Sequence, residues 1–92
     1  MSWDEFTACA GEDGQILYEA GEDAIKEFAE LWDSLPEVVQ NMLKKAAEWG
    51  GSFLARALAR AGLAAAEAIA AAAVGVGLGT LVAIIADCYD KL

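Results

Sequence analysis

The stretch AGLAAAEAIAAAAVGVGLGTLVAIIA, residues 61–86, carries a single charge, Glu67, in twenty-six positions. From Ala68 to Ala86 there is no charge, and Thr80 is the sole polar side chain. A straight helix over that span would reach roughly 28 Å, close to the hydrocarbon thickness of a bilayer. Only eight of its residues are large aliphatics: Ile69, Val74, Val76, Leu78, Leu81, Val82, Ile84 and Ile85. Together these favour insertion of a lone helix by roughly 2.5 to 5 kcal/mol. Seven alanines and three glycines in the same span add little.

Small residues recur at every fourth position, Ala71, Gly75, Gly79 and Ala83, and Gly75 to Gly79 is a GxxxG step. On one helix these share a face where two backbones can approach closely, which makes them the candidate helix–helix interface. A helix with no polar side must be buried all round, and a chain of 92 residues has few neighbours to wrap it. The expectation is therefore that lipid, or further copies of the chain, cover the segment. A hairpin broken at Gly75–Gly79 and folded on itself is the third arrangement.

Working outward, the chain reads as one all-α domain, residues 1–92, with an acidic half (1–51) joined to an apolar half (52–92). Residues 1–51 hold twelve Asp and Glu against three Lys, and residues 52–92 hold three charges of each sign, giving the net −9. So acidic a chain should repel the phosphates of nucleic acid and anionic lipid headgroups. There is no histidine, the commonest general base and metal ligand. No nucleophile–base pair, metal-ligand spacing or phosphate loop is present, so neither catalytic, metal nor cofactor-binding residues are assigned, and the chain is not expected to be an enzyme.

Cys9 and Cys88 lie far apart and form no CxxC motif. The expectation is two buried thiols. The alternative is a disulfide tying the first helix to the last turn, which requires an oxidising compartment. The opening MSWDEFTACA carries acid where a cleavable signal peptide carries base.

Ser2-Trp3-Asp4-Glu5 is a capping box that predicts a short helix ending at Gly11. A longer amphipathic helix follows from Gln15. Its apolar stripe is Leu17, Gly21, Ala24, Phe28, Leu31 and Leu35, widened by Ile25 and Trp32. Its other side is acidic, from Glu19 to Asp33, and reads as solvated surface. Ser34-Leu35-Pro36-Glu37 predicts a second capping box. A third helix then runs to Trp49 on the stripe Val39, Met42, Leu43, Ala46 and Trp49, closed by Gly50-Gly51. Ser52 is expected to cap a fourth helix that runs into the apolar segment.

On that helix Arg56 and Arg60 share a face with Glu67, a candidate ion pair. For a spanning helix, the two arginines place the N-terminal half in the cytoplasm. Trp49 and Tyr89 then sit near the two interfaces.

Three families share pieces of this pattern. Gly50-Gly51 followed by an apolar GxxxG segment resembles bacteriocin precursors, although their leaders carry hydrophobic residues where this chain has Glu48, Lys45 and Gln40. The acidic start and apolar middle resemble filamentous-phage coat proteins, which end in a basic segment where this chain has Asp87-Cys88-Tyr89-Asp90-Lys91-Leu92. Trp49-Gly50-Gly51 resembles the mid-chain turn of WxG-type secreted helical hairpins, whose second helix is amphipathic rather than apolar throughout. No family is assigned. The function expected is a membrane-associated, self-assembling helical protein, a homo-oligomer in contact with lipid. A soluble α-helical oligomer acting as adaptor or inhibitor is the alternative.

Overall fold

The computed structural model describes residues 2–73 and 75–92. Six α-helices follow in order: α1 Trp3–Ala10, α2 Glu12–Asp33, α3 Glu37–Trp49, α4 Gly51–Arg60, α5 Ala65–Ala72 and α6 Leu78–Cys88, with a final 3-10 turn at Tyr89–Lys91. Among the described residues there is no strand, and the fold is all-α as the periodicity predicts.

The first cap forms as read: Ser2 Oγ accepts the Glu5 backbone N–H at 3.3 Å. The second does not. Ser34 Oγ instead donates to the Leu31 carbonyl at 2.7 Å, closing α2, and Pro36 stands just ahead of α3. The amide of Gln40 completes the corner by donating to the Trp32 carbonyl at 2.8 Å. Ser52 lies inside α4 and makes no side-chain cap.

Within α2 the backbone leaves helical geometry at Gly21. The residues buried beyond the kink are Ile25, Phe28, Ala29 and Trp32, while Ala24 and Leu31 stay exposed. The kink rotates the apolar face away from the unbroken stripe the sequence suggests.

The apolar stretch is not one helix. Its first break follows Arg60, where Gly62 takes φ +83°. The Leu63 N–H reaches the Leu58 carbonyl at 2.8 Å, and the Gly62 N–H reaches that of Ala59 at 3.2 Å. This is a Schellman stop, which favours glycine at the left-handed position. The second break falls between Ala73 and Gly77, with Gly75 at φ +98°. Val74, counted among the large aliphatics, lies outside the described residues.

Two short helices pack where one long one cannot. α5 lies against α2, and α6 lies against all five of the other helices. Leu81, Val82, Ile84, Ile85 and Cys88 of α6 are buried together with Phe6, Leu17, Ile25, Phe28, Trp32, Leu43, Leu54 and Leu58. The large side chains of the apolar half are thus covered from within the protomer. No helix among the described residues is long and apolar enough to cross a membrane.

The reason lies in the alanines. The outer side of α5 is Ala65, Ala68, Ala71 and Ala72, all exposed. Glu67 is the one charge exposed beside them, and each alanine methyl presents little apolar area to water. The radius of gyration is 11.8 Å, close to the roughly 12 Å of a compact chain this size.

The cysteines are also corrected. Cys9 and Cys88 are bonded, with Cα atoms 5.9 Å apart and a sequence separation of 79. The bond ties α1 to the end of α6. Beside it the Ser2 N–H donates to the Lys91 carbonyl at 2.8 Å.

Candidate functional site

The four small residues read as an interface are not brought onto one helical face. Ala71 is exposed on α5, Gly75 is exposed in the break, and Ala83 is exposed on α6. Gly79 alone meets another helix, and that helix belongs to the same chain: a Cβ at Gly79 would sit 3.1 Å from the Ala47 carbonyl oxygen of α3. The close approach inferred from GxxxG thus occurs at one position, within the protomer. Arg56 and Arg60 are exposed on α4, and Glu67 is exposed on α5 beyond the Gly62 stop. Among the described residues no ion pair joins Glu67 to either arginine.

The hydrophobic residues that the fold leaves outside are concentrated elsewhere. Val38 is 79 % exposed, Met42 50 %, Trp49 73 % and Phe53 53 %. Val38, Met42, Lys45 and Trp49 stand at i, i+4, i+7 and i+11 on α3 and so form one stripe. Phe53, Arg56 and Arg60 stand at i, i+3 and i+7 on α4 and form a second. The two stripes meet at the turn, where the Trp49 and Phe53 rings lie 5.5 Å apart at 32°. Gly50, at φ +134°, takes the chain round this corner.

The helices are held by a separate, buried set: Leu43 and Ala46 of α3 and Leu54 and Leu58 of α4. Burial of these four leaves the Val38–Trp49 and Phe53–Arg60 stripes free of any packing duty. Val38, Met42, Trp49 and Phe53 are thus four of the six large hydrophobic side chains exposed among the described residues.

The periodicity of α3 places Met42 and Trp49 in its core stripe and gives Val38 and Phe53 no role. The available signal was the width of the apolar set. Val38, Val39, Met42, Leu43, Ala46 and Trp49 span more of the helix than one neighbour can cover.

Open grooves also mark the surface, and two of them are large. One, of about 600 Å³, runs between α1, α3 and α6, with the Cys9–Cys88 bond in its wall and Lys44, Glu48 and Asp87 at its rim. The other, of about 440 Å³, is lined by Lys26, Glu30 and Asp33 of α2 together with Tyr89, Asp90 and Leu92. Among the described residues no group of three or more His, Cys, Asp or Glu is placed to hold a metal ion. No family model, no curated protein and no solved structure matches this chain.

Proposed function

We propose that this chain is a non-enzymatic, membrane-associated helical protein that meets lipid from one side as a closed bundle and does not span it. The observation that carries this reading is the exposed Trp49–Phe53 pair with Val38 and Met42 beside it. Aromatic rings on an amphipathic surface suit the headgroup boundary, where the apolar body enters the acyl edge and the backbone stays paired within its own helix. The Cys9–Cys88 bond suits an oxidising compartment, where such bonds persist. It also keeps α1 on α6 while the bundle is at work.

Flotation of the untagged, oxidised protein with phospholipid vesicles tests the reading, with tryptophan fluorescence followed in parallel. Trp32 is fully buried and Trp49 is open to water, so docking should bring the protein up with the vesicles and blue-shift the Trp49 component. Protein that stays in the soluble fraction with every vesicle, its emission unchanged, would overturn it.

A second reading, a soluble adaptor that docks on another protein through the same face, is favoured by one observation. The apolar helices α5 and α6 are already accommodated inside the protomer, so the chain does not depend on lipid to hide them. It requires substitutions at Trp49 and Phe53 to weaken a protein complex, with vesicle binding absent.

A further inference from the structure

We propose that the α3–α4 face is specific for anionic phospholipid, its exposed cations holding headgroup phosphate while Val38, Met42, Trp49 and Phe53 enter the boundary below. The inference rests on the membrane reading above and names the lipid that reading leaves open.

Its ground is the distribution of charge. The whole chain carries six cations and fifteen acids. Residues 37–60, which are α3, α4 and their turn, hold Lys44, Lys45, Arg56 and Arg60 against Glu37 and Glu48, a local +2. Everything else holds the remaining two cations and thirteen acids, −11, and the two parts sum to the net −9. All four cations on the hairpin are exposed. Three of them stand on the two apolar stripes or on their flank: Lys45 between Met42 and Trp49, and Arg56 and Arg60 beyond Phe53. Long cationic side chains so placed can lay their stems along the apolar patch and keep their heads at phosphate depth.

The acidic remainder does not cancel this. The largest acidic element is α2, which like the hairpin packs on α6 and adjoins α3 at the Trp32–Gln40 corner. The molecule measures 30 × 26 × 20 Å, whereas fields between exposed charges decay within about 8 Å at physiological salt. Thirteen of the fifteen acids lie outside residues 37–60, so a membrane under α3–α4 meets the hairpin's own local +2 first. An acid-coated bundle with one cationic, aromatic side has its docking orientation set by charge before contact. Acid on the rest of the surface then disfavours every other way of landing. The expectation from net charge alone, repulsion from anionic headgroups, is reversed once the charges are placed in three dimensions.

The test uses the full oxidised chain and two vesicle populations, phosphatidylcholine alone and two parts phosphatidylcholine to one part phosphatidylglycerol, in low and high salt. Partition onto the mixed vesicles should be at least about tenfold stronger than onto phosphatidylcholine and should fall as salt rises. Lys45→Gln and Arg56→Gln should each weaken partition onto the mixed vesicles about fivefold and leave the neutral ones unaffected. Trp49→Ser should weaken both about equally. These positions are exposed, and circular dichroism of each variant checks that the bundle is intact.

Equal partition onto both vesicle types, insensitive to Lys45→Gln and Arg56→Gln, would overturn the lipid specificity and leave the membrane reading standing. No partition onto either would overturn both. A dimer in buffer that Trp49→Ser dissolves, with no vesicle binding, would assign the face to a second copy and also overturn the proposal.

Discussion

The α5–α6 segment and the α3–α4 hairpin exchange the roles their compositions suggest. The first is nearly free of charge, yet its large side chains Ile69, Val76, Leu81, Val82 and Ile85 are buried, and its exposed residues are chiefly alanine and glycine, with Glu67, Thr80 and Asp87. The second carries four cations and two acids, yet it holds four of the large hydrophobic side chains that remain open to water. Mean hydropathy measures how much apolar surface a segment brings. Which part of it stays wet is decided by how many neighbours the topology supplies. Being last in the chain and central in the bundle, α6 has five helices around it. The corner at Gly50 has the outer edge of the molecule on one side and nothing beyond.

The comparison breaks most readily at the covalent clamp. Replacing both cysteines, Cys9→Ser with Cys88→Ser, reopens a loop of 79 positions, and the chain-entropy model assigns such a loop about 4.5 kcal/mol. Chemical denaturation should show a midpoint lowered accordingly, and an unchanged midpoint would mean that α1 and α6 hold together unaided. Next in size, Ile85→Ala removes a fully buried side chain from the middle of α6 and should cost about 3 kcal/mol. A loss below about 1 kcal/mol would show that α6 is not the packed centre.

Gly79→Leu and Ala71→Leu separate the two senses of the small-residue pattern. The first forces a side chain against the Ala47 carbonyl and should cost about 1 to 3 kcal/mol. The second adds bulk at an exposed site and should change stability by less than about 0.5 kcal/mol. Disruption of an assembly by Ala71→Leu in analytical ultracentrifugation would restore the four-residue interface that the bundle does not form by itself. Smallest of all is the expected effect of Trp49→Ala on stability, within about 0.5 kcal/mol. A larger loss would mean that the ring packs into the fold and is not held in reserve for a partner.

Helical periodicity makes α1, α2 and α3 visible in outline, because a stripe such as Leu17–Ile25–Phe28–Trp32 has no other economical reading, but it runs α4, α5 and α6 together as one helix. The limits of α5 were missed, although Gly62 directly after Arg60 carries the usual signature of a helix end. A run of alanine on both sides hid it, since alanine fits helix and offers no phase to break. The disulfide was out of reach for another reason: spacing in sequence says nothing about two cysteines whose meeting depends on how four other helices lie between them. The exposed face was half legible. Lys45, Arg56 and Arg60 could be placed on their helices, but which flank of a wide apolar set goes without a neighbour is fixed only when all six helices are in position.

The bond between α1 and the end of α6 also decides how the molecule responds to force. Tension applied from outside the bonded pair runs through Cys9 and Cys88 and bypasses the helices in between, so the segment they enclose is shielded from it. Once the bond is cut, the same pull is borne by noncovalent packing, and the 79-position loop can pay out roughly 270 Å of slack. A tether built on this fold would therefore be stiff or compliant according to the redox state of its surroundings.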